Sequence, residues 1–269
     1  MTHKEESAGT ELTAVDLIRV ADLWEANQEY LRQQLGQSQS RRYGAHWVLM
    51  PESPFPRFNH VGRIRVKPEE VAGLIAECRA FFRAEGIPTY CLMVSPATQP
   101  ASLADELRSR GFRCQTQTVM VWEGGEIPPI RQPVRVERAR PDQLDLVFFL
   151  LQRVFYPGAP LESLEAGRRG VEVSAAIGAI HYIAYWENRP AGAGMLFPYA
   201  AMGGVYNMAT LPEFRRRGVA TAVLSAILTD AQTLGCEYVG LTPTLMGRPL
   251  YRRLGFRVAY HERYYAQRV

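Results

Sequence analysis

The chain has 269 residues, 47% of them hydrophobic and 22% charged, with a formal net charge of +4. This length and balance predict one large or two ordinary soluble domains with a sizeable core, and the mild charge gives no argument for nucleic acid as a partner. No apolar run reaches the roughly 18 residues of a membrane-crossing helix, residues 1–10 read as a polar, frayed start rather than a signal sequence, and Cys78, Cys91, Cys114 and Cys236 lack metal-ligand spacing. A cytoplasmic protein is expected, its cysteines free thiols and three of them buried in apolar patterns.

In chain order, residues 13–35 are predicted to form a helix, with Thr13 as cap, Asp16 three positions on, and Leu17, Val20, Trp24, Leu31 and Leu35 as a partial apolar stripe. Residues 36–42 read as a polar loop and 46–50 as a strand. Pro51, Pro54 and Pro56 then force an extended link before a strand at 60–66. Pro68, Glu69 and Glu70 suit a helix start, Val71, Leu74, Ile75, Cys78, Phe81 and Phe82 form its apolar face, and Gly86 ends it. A strand at 89–94, a short helix at 102–110 stopped by Gly111-Phe112, and a strand at 118–122 follow.

Residues 124–133 hold two glycines and three prolines and are predicted to link two halves, 1–126 and 134–269. The second half begins with a strand at 134–139 and a helix from Pro141 carrying Leu144, Val147, Phe148, Leu151 and Phe155. Residues 156–160 break it, and 161–170 are compatible with a second short helix. Strands at 181–186 and 191–197 are joined by a turn at 187–190.

The stretch from Val205 to Ala220 organises the rest. A β-prone run, 205–210, stops at Leu211-Pro212, and a helix pattern opens at Gly218 with Val219, Val223, Ala226, Ile227 and Leu234 on one face and Thr221, Ser225 and Thr229 on another, ending at Gly235. A helix start offers unpaired N–H groups and a positive dipole end, Arg215 to Arg217 add charge, and Gly218 lets a bulky anion approach the backbone. A diphosphate fits this description. A strand at 237–242 and a short helix ending Leu250-Tyr251-Arg252-Arg253-Leu254-Gly255-Phe256 follow.

A repeat crosses the linker. The helix ending at Gly86 and the helix ending at Gly235 are each followed by an apolar strand and a short helix closing on Gly-Phe. The first copy lacks Arg-x-x-Gly-x-Ala, has Pro68 where an N–H would stand, and carries Leu107 in place of Tyr251. It reads as a degenerate copy, so one functional site is expected, in the second half.

Strand, Arg-x-x-Gly-x-Ala helix, strand and Leu-Tyr-x-x-Leu-Gly-Phe, in this order, resemble the GNAT family of acetyl-CoA-dependent N-acetyltransferases. The resemblance covers residues 134–265, with its specific motifs between Met208 and Phe256. It implies an α/β (α+β) chain of two GNAT-like halves, each a mixed, mostly antiparallel sheet flanked by helices, with a splayed strand pair at the coenzyme A site of the second. It implies that Met208, Ala209 and Thr210 meet the pantetheine arm, chiefly through backbone. Arg215, Arg216, Arg217, Gly218, Val219, Ala220 and Thr221 form the diphosphate cradle, and Arg215 in particular orders the loop or meets phosphate. Tyr251 is the implied general acid that protonates the leaving thiol. The co-substrate is acetyl-CoA, with no metal.

No residue is forced as general base. His181, Glu213 and Glu237 titrate near strand ends and a chain of waters serves equally, while His46, His60 and His261 read as surface or core-edge residues. The family's asparagine before the tyrosine is missing from 243–248, leaving Thr242 and Thr244 for that contact. A small-molecule amine is the expected acceptor, walled by residues 39–60 and 156–178. Acetylation of a protein or peptide amine, or a non-catalytic acyl-CoA-binding module, are the alternatives. No membrane partner is expected, and the chain is read as a monomer or homodimer.

Overall fold

The first helix, α1 (Ala14–Gln34), begins where its cap is expected: Thr13 Oγ1 accepts from Asp16 N at 3.2 Å, and Asp16 Oδ2 accepts from Thr13 N at 3.0 Å. The computed structural model describes residues 12–40, 45–51, 56–158 and 165–269. The start 1–10, Arg41 and Arg42 of the polar loop, Pro54, and 159–164 of the break and short helix lie outside them. The first half continues with β1 (Ser38–Ser40), β2 (His46–Val48), β3 (His60–Gly62), α2 (Val71–Ala84), β4 (Thr89–Val94), α3 (Leu103–Ser109) and β5 (Arg113–Trp122). After the linker come β6 (Val134–Arg138), α4 (Leu144–Phe155), α5 (Glu165–Ala176), β7 (Ile180–Trp186), β8 (Arg189–Tyr199) and β9 (Met202–Thr210). The chain closes with α6 (Val219–Thr233), β10 (Tyr238–Leu241), α7 (Arg248–Arg253) and β11 (Arg257–Arg268). β1 lies in a stretch expected to be loop, and β11 is a strand that the sequence reading does not assign. β3 ends before its expected bound because Arg63 adopts a left-handed backbone, φ 48°, which interrupts strand geometry.

Two separate sheets were expected, one per half; the strands instead form one sheet in the order β1-β2-β3-β4-β11-β5-β10-β9-β8-β7-β6. Each half has one parallel pair closed by a helix crossover: β3–α2–β4, and β9–α6–β10. The final strands are exchanged. β11, from the second half, pairs with β4 over 263–268 and with β5 over 257–266. β5, from the first half, pairs in turn with β10. β11 is paired on both sides over 263–266 and on one side along most of the rest, and the exchange carries the sheet unbroken through the expected boundary between halves.

One apolar core lies around α2 and α3 in the first half, with Phe82, Leu74, Leu92 and Leu107 fully buried. A second surrounds α4 and α6 in the other half, with Leu150, Val223, Ile227 and Leu196. Between them, α1 contributes Val20, Ala21 and Trp24 to a seam with Val119, Val121, Met202, Tyr238 and Tyr260. α1 thus belongs to the first half by sequence but packs across the second half's strands.

Candidate active site

The parallel pairing of β9 with β10 covers only Met202–Gly204 against Tyr238–Gly240, although β9 runs on to Thr210. Beyond it, Asn207 takes φ 56° and the register with β8 shifts between Ala193 and Met195. This is a β-bulge that turns β9 away from its parallel neighbour. Leu211 N donates to Ala191 O at 2.9 Å on the β8 side. By strand alternation, Thr210 N–H and Met208 C=O face the opposite way, into the opening. The Met208 side chain fills the space above Gly194, where an added Cβ would sit 2.8 Å from its sulfur. Ala209 is buried on the other face.

Past Pro212 the chain forms a short turn, then Arg216 and Gly218 adopt left-handed φ values of 62° and 82°. Gly218 caps α6; its carbonyl accepts the first helical bond, from Ala222 N at 2.9 Å. The amides of Val219, Ala220 and Thr221 precede that bond and have no intrahelical acceptor. No acidic residue stands in this first turn, so the positive dipole end is uncompensated. Nothing lies within 4 Å of a Cβ built on Gly218, which leaves the backbone open to a bulky anion. Arg215 Nε reaches Thr210 O at 3.4 Å, tying the loop to β9, while Arg217 stacks on Trp186 with 5.2 Å to the ring centroid. Arg216 points to solvent.

Tyr251 lies in α7, 8% exposed, packed edge-on against Phe256 with centroids 5.8 Å apart. Burial pushes its hydroxyl up to about 12, so it holds its proton throughout the neutral range. Thr244 Oγ1 accepts from Gly247 N at 3.1 Å, so its hydroxyl is spent capping the turn into α7. Leu245 and Met246 of the same loop are strongly exposed.

The candidate bases separate. His181 is buried against Ser174, 3.0 Å from Nε2 to Oγ, and burial lowers it to about 4. Because Ser174 donates to Val171 O at 2.9 Å, His181 is the donor in that pair, which makes it a structural side chain. Glu237 pairs with Arg19 at 2.6 Å, and Glu213 is exposed. His46 and His60, expected at the surface or core edge, are buried beneath α1, whereas His261 is exposed. Of the thiols, Cys78 and Cys91 are buried, Cys236 is half-buried and Cys114 is exposed.

Sequence reasoning missed the contribution of α1. Asn27 is fully buried and donates to Phe197 O at 2.9 Å and Met202 O at 3.1 Å, while Tyr206 OH donates to Asn27 Oδ1 at 2.7 Å. Trp24 stacks on Tyr206, ring centroids 5.7 Å apart. These bonds hold α1 under the strand that carries the opening. The available signal was Asn27 itself, a polar residue within the Trp24–Leu31 stripe.

The first half repeats the strand geometry with a different outcome. Arg63, with φ 48°, stands where Asn207 stands in the second half. Ile64 and Val66 then correspond to Met208 and Thr210. Here Gln99 N donates to Ile64 O at 3.0 Å and Val66 N donates to Gln99 O at 3.2 Å. The segment after β4 thus pairs with the backbone edge that β9 leaves open. Glu70 Oε2 accepts from Lys67 N at 2.8 Å, so the turn before α2 also carries its own anion.

Among the described residues no group of three or more His, Cys, Asp or Glu side chains could hold a metal ion, and no helix is long and apolar enough to cross a membrane.

A family model described as an acetyltransferase (GNAT) domain matches residues 178–258, which contain β7, β8, β9, the turn into α6, α6, β10 and α7. Among solved structures, a GCN5-related N-acetyltransferase from Kribbella flavida superposes with a TM-score of 0.67 at 16% identity, over 93% of this chain and 95% of that one. A tandem GNAT protein from the clavulanic acid biosynthesis pathway gives 0.63 at 12% identity, over 96% and 97%. A GCN5-related N-acetyltransferase from Sphaerobacter thermophilus gives 0.58 at 16%, over 96% and 94%. No curated protein sequence matches the chain. Residues 178–258 thus match a GNAT acetyltransferase domain, and the whole chain shares the fold of tandem GNAT structures.

Proposed function

We propose that the protein moves an acetyl group from acetyl-CoA to the primary amine of a small molecule by direct attack in a ternary complex. The observation that carries this reading is the edge of β9: a backbone run at Met208–Thr210 left without a partner on its β10 side, leading to an open left-handed Gly218 at an uncompensated helix start, with a protonated phenol, Tyr251, in the helix after β10. Met208, Ala209 and Thr210 serve the pantetheine arm, with Met208 C=O and Thr210 N–H as the strand-like partners. Arg215, Arg216, Arg217, Gly218, Val219, Ala220 and Thr221 surround the diphosphate, the last three through N–H groups. Tyr251 is the general acid: the amine nitrogen bonds to the thioester carbon, the C–S bond breaks, and the phenol proton goes to sulfur. The amine's surplus proton leaves through water. Residues 134–269 carry this chemistry, and 1–126 are a non-catalytic half.

A panel of small amines incubated with acetyl-CoA and scored by free thiol tests the reading. Thiol release that depends on an added amine supports it. Acetyl-CoA binding with no transfer to any amine would instead favour a binding module.

A further inference from the structure

On the α1 side of the sheet, the opening has a defined floor. β10 stops at Leu241, opposite Met120, whereas β5 runs on and pairs Gln117 with Glu262 of β11. β9 likewise runs on through Tyr206. The gap between them is underlain by the second half of α1. There, Trp24 Nε1 and Gln28 Nε2 donate to Glu262 Oε1 at 3.0 and 3.3 Å, and Tyr264 OH donates to Oε2 at 3.0 Å. Both oxygens of this buried carboxylate are therefore engaged by neutral donors.

Arg32 stands one helical turn beyond Gln28. Its partner His60 lies edge-on to Tyr264, ring centroids 5.4 Å apart, and Tyr264 bonds Glu262, so the guanidinium stands beside this cluster, and its charge also acts on Tyr206. Its one hydrogen bond among the described residues is from Nη1 to His60 Nε2 at 3.4 Å. His60 Nδ1 donates to Arg57 O at 2.6 Å, so Nε2 is the acceptor, and burial keeps this ring neutral. The neighbouring half-buried arginines are treated differently: Arg63 pairs with Glu29 and Asp22, and Arg65 with Asp22 and Glu25. Arg32 alone of the three has no carboxylate within ion-pair distance among the described residues, and most of its donor fork is unspent. A half-buried guanidinium is costly without an anionic partner.

We propose that Arg32 recognises the acceptor, and that the acceptor is a small amine bearing a carboxylate, seated on the α1 side of the opening beside Tyr206. This rests on the acetyltransfer reading above and adds the substrate class. A planar carboxylate matches the guanidinium fork, which gives it the advantage over a phosphate ester or a neutral amine.

The probes are the ω-amino acids from glycine to 6-aminohexanoate, the matching n-alkylamines, and O-phosphoethanolamine. The expected result is that at least one acid surpasses its matched alkylamine by about 10-fold or more in kcat/KM, the scale of one charged hydrogen-bonded contact. In Arg32→Gln that ratio falls toward one, mainly through KM, and Arg32→Lys restores part of it. Thermal midpoint and acetyl-CoA affinity, measured alongside, show that the variants are folded. Equal use of acids and alkylamines by the wild type, a preference surviving in folded Arg32→Gln, or a preference for the phosphate ester would each overturn the proposal. Acetyl-CoA binding without transfer to any acid overturns it too, leaving the cofactor reading standing. Failure to bind acetyl-CoA at all overturns the parent reading instead.

Discussion

Beyond Arg63, the first half bonds Ile64 O and Val66 N to Gln99; beyond Asn207, the second half turns the equivalent groups of Met208 and Thr210 toward an edge that no strand among the described residues covers past Gly204. The loop that reaches across in the first half is tied to itself, with Thr98 Oγ1 accepting from Ser95 N at 2.9 Å and Ser95 Oγ from Ala97 N at 3.1 Å. The helix starts diverge in the same sense. α2 follows Pro68, Glu69 and Glu70, which remove one donor and add two acids, while α6 follows an open glycine among arginines. Leu107 is buried where Tyr251 carries a hydroxyl. A strand pair splayed at a bulge is therefore a position that the chain can either fill from within or hold for a ligand. Side chains at the flanking turns follow whichever choice the backbone makes.

The largest effect expected from breaking this contrast is at Gly218. Gly218→Glu forces a side chain into a left-handed position, where its bulk and negative charge would face the diphosphate of the proposed cofactor. Acetyl-CoA binding should disappear in calorimetry, and retained affinity would place the cofactor elsewhere. The unaltered chain should bind one equivalent; two equivalents would refute the closed reading of the first half.

Tyr251→Phe comes next. It keeps the ring packed on Phe256 and removes only the proton donor. The turnover number should fall by about 10²–10⁴-fold where chemistry limits, with acetyl-CoA affinity and thermal midpoint close to wild type. With its hydroxyl pushed up to about 12, Tyr251 remains protonated past about pH 10. An alkaline fall in rate below that pH would belong to another group. Normal turnover in this variant would remove Tyr251 from the mechanism.

A smaller effect distinguishes the first half's buried charges. Glu25, 2% exposed, is raised to about 7 by burial, with Arg65 opposing. Because the folded state holds this proton more tightly than the unfolded chain, stability is greater at low pH. It falls as pH rises from about 4.5 toward 7, by about 3 kcal/mol in all. Glu25→Gln should remove that slope, so urea midpoints of variant and wild type should diverge between about pH 5 and pH 8. Parallel pH dependence would show that Glu25 does not titrate in this range.

The finest test is amide exchange. Val66 and Gln99 N–H groups should be protected without any ligand, since each is already bonded. Thr210 N–H should gain protection only when acetyl-CoA is added. Protection of Thr210 without cofactor would contradict the open edge.

The sequence made the second half's site legible because its parts are local. Pro212, the arginine run and Gly218 each shape backbone within a few residues of themselves, Tyr251 stands in a short helix with its own local pattern, and the strand and helix bounds around them agree with the structure to within a few positions. Arg63 gave no such signal, since a left-handed arginine is fixed by its neighbours rather than by its own preference. The strand exchange was equally hidden. Arg257–Arg268 carry Tyr260, Tyr264 and Tyr265 inward among charged residues, and nothing local tells such a strand which of two sheets to enter. The place of α1 depended on Asn27 meeting residues 170 or more positions away and on Trp24 and Gln28 reaching Glu262.

The place of β11 sets a timetable for the molecule. During synthesis, β4 and β5 emerge long before residues 257–268, and the site between them stays vacant until that last strand is made. Two exposed edges must wait, and waiting edges recruit other chains. The first half therefore matures only when the second is complete, and severing the chain at the linker would yield two fragments each lacking a strand held by the other. Mixed together, those fragments should recover function that neither has alone.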